Sequence, residues 1–508
     1  MEAAESDRSR CLDAMVVVMS EACLGERYIA STVQLQLASL QFCATCRELS
    51  PVRLRVEEGT PRCLWACDAA AAVDDDDNDD GSRARIVRTL RLHEVAWTLP
   101  ASRLSEASKA LSKLEILSFI GTNFNDSLDD AAWPLGLKRV VLGGRFDRSV
   151  EHVSWPPTLL EITFGFEYNQ PIQKMKFPPS LLSLNFGGRF NQPIDSVLWP
   201  ASLQQLTFAD SFNQPIRAVV WPGFLHQLAF GLSFNQPIEG VVWPASLQRL
   251  SFGWGFNQPI AGVVWAASLA ALKFGGAFNR PIHAVVWPAS LQELSFGVAF
   301  NQPLDRVAWP PCLKRLVLGQ KFNYPVDRVA WPKHMQHLTF GQFFNLPIAT
   351  TKWPSSLTHL TFGWRFNMPL LSATLPASLQ ELVLGGCFNK PVDAVAWPAS
   401  LKKIEFGDAF DQPIGSVSWP ASLRQLSFGN QFDQPIAGVT WPPSLWRVKF
   451  GCNFPPVMAE IEWPASLRQI TFVCERGTTL PVLPGVETCM VPVVLPVVRR
   501  ATNLFSGF

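Results

Sequence analysis

The chain is short of charge. Only 17% of its 508 residues are Asp, Glu, Lys or Arg, and the formal net charge is +1. Residues 133–472 carry 26 Lys/Arg against 18 Asp/Glu, while residues 1–132 carry 14 against 22. That spread lacks the clustered Lys/Arg of a nucleic-acid footprint, so no nucleic-acid partner is expected. Long apolar runs are missing too. No stretch reaches 18 apolar residues, and Val491–Val498 is broken by Pro492 and Pro496, which excludes a membrane-spanning helix. The opening Met-Glu-Ala-Ala-Glu-Ser-Asp is acidic where an export leader is basic, and Met15–Met19 is too short for a leader's core. The eleven cysteines are therefore expected as thiols in a reducing compartment, cytoplasmic or nuclear. Catalytic signatures are absent as well. There is no phosphate-cradling Gly-x-x-x-x-Gly-Lys, no nucleophile elbow and no His-Glu-x-x-His, so the expectation is a non-enzyme without a cofactor.

What the chain does have is a period. Trp-Pro-Ala-Ser-Leu-Gln-Gln-Leu-Thr-Phe opens residues 199–220, and close copies open at 243 and 287. With Trp as slot 0, the same slot recurs every 22 residues from Trp133 to Trp463, giving sixteen repeats. Fourteen open with Trp, one with Phe177 and one with Leu375. A fixed period of this size signals a solenoid. Pro at slots 1 and 16 has no N–H to give a ladder, so a parallel strand is expected between them, over Leu203, Leu206 and Phe208 in the 199 repeat. Slots 7 and 9 should point inward and slots 6 and 8 outward. Gly at slot 10 is expected to turn the chain at a φ that other residues resist. Slots 17, 20 and 22 repeat the apolar spacing of slots 4, 7 and 9, which predicts a second inward-facing extended segment. Phe at slot 13 should stack into a spine. Slot 14 is Asn in eleven repeats and Asp in three (Asp147, Asp411, Asp433). An inward Asn is expected to satisfy turn amides and carbonyls of neighbouring coils, with the Asp coils slightly weaker because Asp cannot donate.

Phe-Asn-Gln-Pro-Ile at 212–216, 234–238 and 256–260, preceded by Ser-Leu-x-x-Leu-x-Phe, closely resembles the FNIP repeat family. The resemblance implies a leucine-rich-repeat-like parallel β solenoid, mainly β, with a role in protein interaction. Some members carry an F-box ahead of the array. Here Leu37-Ala-Ser-Leu-Gln-Phe-Cys-Ala-Thr-Cys-Arg-Glu-Leu49 resembles the closing helix of an F-box, although the usual Leu-Pro opening is missing. The expected organisation is a helical segment over 1–70, possible F-box at 11–50, and an acidic linker over 71–84 containing Asp74–Asp80. Capping coils follow over 85–132, with a helix at 101–111, then the repeats over 133–474 and a C-terminal cap over 475–508. Cys43, Cys46, Cys63 and Cys67 have spacings that zinc tolerates, but Cys43 and Cys46 fit an apolar helical face, so no metal is expected.

Specificity should lie where the repeat varies. The outward slot 6 reads Arg249, Ala271, Glu293, Arg315, His337, His359, Glu381, Lys403, Gln425 and Arg447 along successive coils. Its eight charged or titratable members, Arg249, Glu293, Arg315, His337, His359, Glu381, Lys403 and Arg447, are the candidate partner-binding residues. On a concave strand surface they suit a protein or peptide partner. His337 and His359 should be neighbours, and with Thr339 and Thr361 beside them they read as polar surface histidines rather than metal ligands. Two other functions fit the same architecture. One is a substrate receptor of a ubiquitin ligase, binding the ligase adaptor through residues 11–50. The other is a carbohydrate binder using Trp254, Trp364 and Trp446. A monomer is expected.

Overall fold

The computed structural model describes residues 53–55, 66–68, 89–91, 114–119, 124–131, 133–455, 461–474 and 485–492. The F-box-like helix, the acidic run at Asp74–Asp80, the helix expected at 101–111 and the cysteines at 43, 46 and 63 lie outside the described residues. Within the segment expected to be helical, β1 (Arg53–Arg55) instead pairs antiparallel with β2 (Ala66–Asp68), setting Leu54 opposite Cys67. Val52-Arg-Leu-Arg-Val56 alternates apolar and polar residues, the period of a strand and not of a helix.

The chain divides into two compact units. One holds Met1–Gln236 with Val241–Leu247, the other Pro237–Gly240 with Gln248–Phe508. In the first unit, β3 (Thr89–Arg91), β4 (Ile116–Ser118), β5 (Arg139–Val141), β6 (Glu161–Thr163), β7 (Ser183–Asn185), β8 (Gln205–Thr207) and β9 (Gln227–Ala229) pair in chain order, all parallel. The second unit continues the pattern with β10 (Arg249–Ser251), β11 (Ala271–Lys273), β12 (Glu293–Ser295), β13 (Arg315–Val317), β14 (His337–Thr339) and β15 (His359–Thr361). After them come β16 (Glu381–Val383), β17 (Lys403–Glu405), β18 (Gln425–Ser427), β19 (Arg447–Phe450), β20 (Gln469–Cys474) and β21 (Glu487–Pro492). From β5 onward neighbours are parallel with a register offset of one repeat, as in Arg249 opposite Ala271, until β21, where Gln469 meets Glu487. Ahead of β5 the offsets are longer, with Thr89 opposite Ile116 and Ile116 opposite Arg139. The chain is thus a parallel β-solenoid of 22-residue coils, and no helix occurs among the described residues.

From β3 to β18 each coil contributes a three-residue strand because the flanking turns leave room for no more; β19, β20 and β21 lengthen to four, six and six residues where the repeat pattern fades. In the coil opening at Trp199, Leu203, Leu206, Phe208, Phe212 and Ile216 are fully buried, and Val219 and Trp221 nearly so. Seven such side chains contribute roughly 1.5–3 kcal/mol each when removed from water. The slot 13 rings form the expected spine, with Phe256, Phe278 and Phe300 stacked at centroid distances of 6.1 and 6.2 Å.

Two expectations are corrected. The back half of the coil faces its apolar residues inward but is not a second strand. Val219 N donates to Ile216 O at 3.2 Å, a local turn that repeats in successive coils and takes up the amide a ladder would need. The slot 10 glycines do not have positive φ, which among the described residues occurs only at Gly240, Gly438 and Gly485. Close approach accounts for them: a Cβ at Gly297 would collide with the carbonyl oxygen of Gly275 in the preceding coil, and among the first fifteen repeats Ala209 alone carries a Cβ at this slot.

Candidate functional site

The conspicuous polar residues of the repeat belong to the scaffold. Asn257 Oδ1 accepts the backbone N–H of Asn279 at 3.0 Å, Asn279 Oδ1 that of Asn301 at 2.9 Å, and Asn345 Oδ1 that of Asn367 at 2.9 Å. Slot 14 therefore forms a ladder, but the side chains are half-buried or exposed and not inward. Only the oxygen is needed, so Asp serves equally. Asp411 Oδ1 accepts from Asp433 N at 3.1 Å and from Gln434 Nε2 at 2.8 Å. The expected weakness of the Asp coils has no basis in this geometry. A second ladder escaped the sequence reading. Ser290 Oγ donates to Leu269 O at 2.8 Å, Ser378 Oγ to Leu357 O and Ser422 Oγ to Leu401 O at 2.7 Å. Its signal was the Ser that fills slot 3 in eleven of the sixteen repeats.

With these residues assigned to the stack, the variable strand face remains. All eight candidate residues lie at the first position of their strands, with the buried slot 7 residue following. Arg249, Glu293 and Arg315 are exposed, and His337, His359, Glu381, Lys403 and Arg447 half-buried. Register places Arg315, His337, His359, Glu381 and Lys403 side by side on β13–β17. The two imidazoles stack at 4.2 Å with 27° between their planes. Thr358 Oγ1 donates to Gln336 O at 3.1 Å, so its contact of 2.8 Å with His359 Nδ1 makes that nitrogen the donor. His359 Nε2 lies 3.4 Å from Glu381 Oε1, an ion pair only when the ring is protonated. Burial holds the His337 imidazole below its ordinary value, His359 and Arg315 push the same way, and Glu381 and Glu293 oppose them. Among the described residues no three His, Cys, Asp or Glu side chains stand close enough to hold a metal ion.

In the first unit the strand face is charged mainly at β5 and β6, where Arg139 and Glu161 pair at 2.6 Å across the strands. From β7 to β9 slot 6 is Ser183, Gln205 and Gln227, neutral polar residues.

The exposed aromatics at slot 11 follow a rule that single repeats do not reveal. Phe166, Trp254 and Trp364 each lie over a glycine one coil later: Gly188, Gly276 and Gly386, where a Cβ would run into the ring. One face of each ring is thereby packed on its own scaffold, and 43% and 51% of the two tryptophans stays open. Trp446 sits elsewhere, beside the start of β19. A further surface went unread. Slot 21 presents Leu198, Val220 and Val242 in the first unit and Val264 and Val286 in the second, all exposed. The signal was the Val-Val doublet before Trp, whose first member is core and whose second is surface.

A model of the FNIP repeat matches nine overlapping or adjoining segments from 168–211 to 410–453, over half of the chain in total. Among curated proteins, none matches the chain. Among solved structures, CroV588, described as a novel circular LRR protein, is similar with 28% identity and a TM-score of 0.60, covering 80% of this chain and 72% of its own. The Toll–Spatzle complex of Drosophila matches with 11% identity and a TM-score of 0.45, over 76% of this chain and 51% of that one. An internalin (inlF) from Listeria monocytogenes matches with 16% identity and a TM-score of 0.38, over 59% of this chain and 82% of that one.

Proposed function

The chain belongs to the FNIP repeat family, and on that premise we propose that it is a non-enzymatic scaffold that presents its strand face to a protein or peptide partner. One observation carries the reading. Scaffold slots are near-uniform and buried or tied into ladders, whereas slot 6 changes charge from coil to coil while remaining accessible on β10–β19. A face that alternates Arg249, Glu293, Arg315, Glu381 and Lys403 encodes a sign pattern, which selects a partner by complementarity and rejects others by like-charge repulsion. No helix among the described residues is long and apolar enough to cross a membrane. Cys312, Cys387, Cys452 and Cys489 are free thiols, and this supports placing the protein in the reducing cytoplasm. The test is partner capture with the full chain followed by the double charge reversal R315E/E381K. The expected result is loss of the same captured partner at an unchanged melting temperature. Identical capture by both proteins would move the binding surface off this face.

A further inference from the structure

We propose that the strand face of β17–β20 docks an acidic, extended peptide segment of a partner protein; this rests on the scaffold reading and specifies its ligand. Slots 6 and 8 of these strands carry Lys403, Arg447 and Lys449, and slot 5, just ahead of each strand, carries Lys402, Arg424 and Arg468. Against these six cations stand Glu405, which Lys403 Nζ meets at 3.4 Å, Glu381 in register with Lys403 at the β16 border, and Glu487 at the β21 border, 3.4 Å from Gln469 Nε2. Lys402 Nζ donates to Gln380 Oε1 at 2.9 Å, and Arg468 Nη1 is held by its own backbone at Ala465 O and Leu467 O. Arg424, Arg447 and Lys449 form no ion pair among the described residues. This is not the chain's habit, since Arg139–Glu161 and Lys138–Glu115 pair across neighbouring coils in the first unit.

The arrangement fits a peptide in three respects. Alternate side chains of an extended chain fall about 6.8 Å apart, the same step that separates Arg447 from Lys449 along their strand, so successive carboxylates can meet successive cations. Gln425 and Gln469 flank Arg447 in register on β18 and β20; the Gln425 amide offers both donor and acceptor to a peptide main chain, while Gln469, whose Nε2 is engaged by Glu487 and Cys489, offers its carbonyl oxygen as an acceptor. Trp446, exposed between Arg424 and Arg468 in the slot 5 row, supplies an apolar surface for one side chain. Single-stranded nucleic acid would be drawn by the same charge, but its binding grooves stack successive bases on successive aromatic rings. On these four strands Trp446 is the one exposed large aromatic ring among the described residues.

The experiment uses the full chain and a fluorescein-labelled peptide of about twelve residues, half of them Asp or Glu with a single Leu, read by fluorescence anisotropy. Saturable micromolar binding is expected, weakening about tenfold in R447E/K449E and again on raising salt from about 50 to about 300 mM. The milder R447Q/K449Q should give an intermediate loss. R328E, a reversal on the exposed slot 19 turn, should bind as the wild type does. Melting temperatures establish that each variant is folded. The proposal is overturned by absence of binding to the folded wild type, by equal binding to R447E/K449E, or by tighter binding of a uridine oligonucleotide of matched charge. Each of those results leaves the scaffold reading standing if R315E/E381K still abolishes partner capture.

Discussion

At slot 14 a side-chain oxygen recurs as the acceptor of the next coil's amide: Asn257 Oδ1 receives the amide of Asn279, and Asp411 does the same for Asp433 with no amide to donate. An oxygen acceptor is therefore the requirement, and amide donation is not. Asn257→Asp should shift the urea midpoint by less than the equivalent of about 0.5 kcal/mol, whereas Asn257→Leu should cost about 1 kcal/mol, because the acceptor is gone but the Asn279 amide lies where water can reach it. Equal destabilisation by both variants would mean that the Asn amide also matters. His337 adds a pH dependence whose sign follows from its lowered value. The folded state binds fewer protons than the unfolded state just below pH 6.5, so the stability tied to His337 is whole above that pH and is lost as pH falls through the folded value. Wild type should lose more stability between pH 7 and pH 5 than H337Q, measured by paired urea titrations. In an NMR titration the His337 ring should have its midpoint below 6.5.

Individual coils show how much the repeat pattern discloses and where it stops. The period, a strand between the prolines within slots 4 to 9 and the inward Leu and Phe were readable from Pro positions and apolar spacing, and the Asn ladder from the recurrence of Asn at slot 14, though not its outward placement. The reason for Gly at slot 10 was not. Its collision partner is the carbonyl of a residue one repeat earlier, and that proximity exists only once coils are stacked. The Ser ladder was hidden for the same reason, since Ser422 meets Leu401 O across the coil boundary. Slots 17, 20 and 22 misled in the other direction. They copy the apolar spacing of the strand, but side-chain period alone does not say where the amides go, and here they close a turn. Slot 0 is simpler. All fourteen indole N–H groups lack a hydrogen-bond partner among the described residues, so the rings contribute area and stacking, as in Trp265 on Trp287 at 6.4 Å. That accounts for Phe177 and Leu375 standing in the same slot. The candidate face was legible as a row because register follows from the period. Trp446 and the slot 5 cations were visible in the sequence, yet their convergence with Arg447 and Lys449 needed the position of slot 5 beside the strand.

Across the second unit each strand pairs with its immediate neighbours in the chain, so stability is expected to be the sum of coil terms and nearest-neighbour interfaces. A backbone collision placed in one coil then has local consequences. Gly297→Ala forces its methyl against Gly275 O in the coil before it, which should cost about 2–3 kcal/mol through the displaced backbone. Gly415→Ala is the matching control, because nothing lies within 4 Å of its added carbon and φ there is not positive. It should be neutral or stabilising by up to about 1 kcal/mol through the unfolded state. Amide exchange reports how far the damage travels. In G297A, protection should fall at Phe274 and Phe296, whose amides bond to Ser295 O and Val317 O, while Gln425 and Phe428 on the distant β18 coil keep theirs. Equal loss of protection at Gln425 would show that the second unit opens as one body, and the nearest-neighbour account of its stability would have to be abandoned.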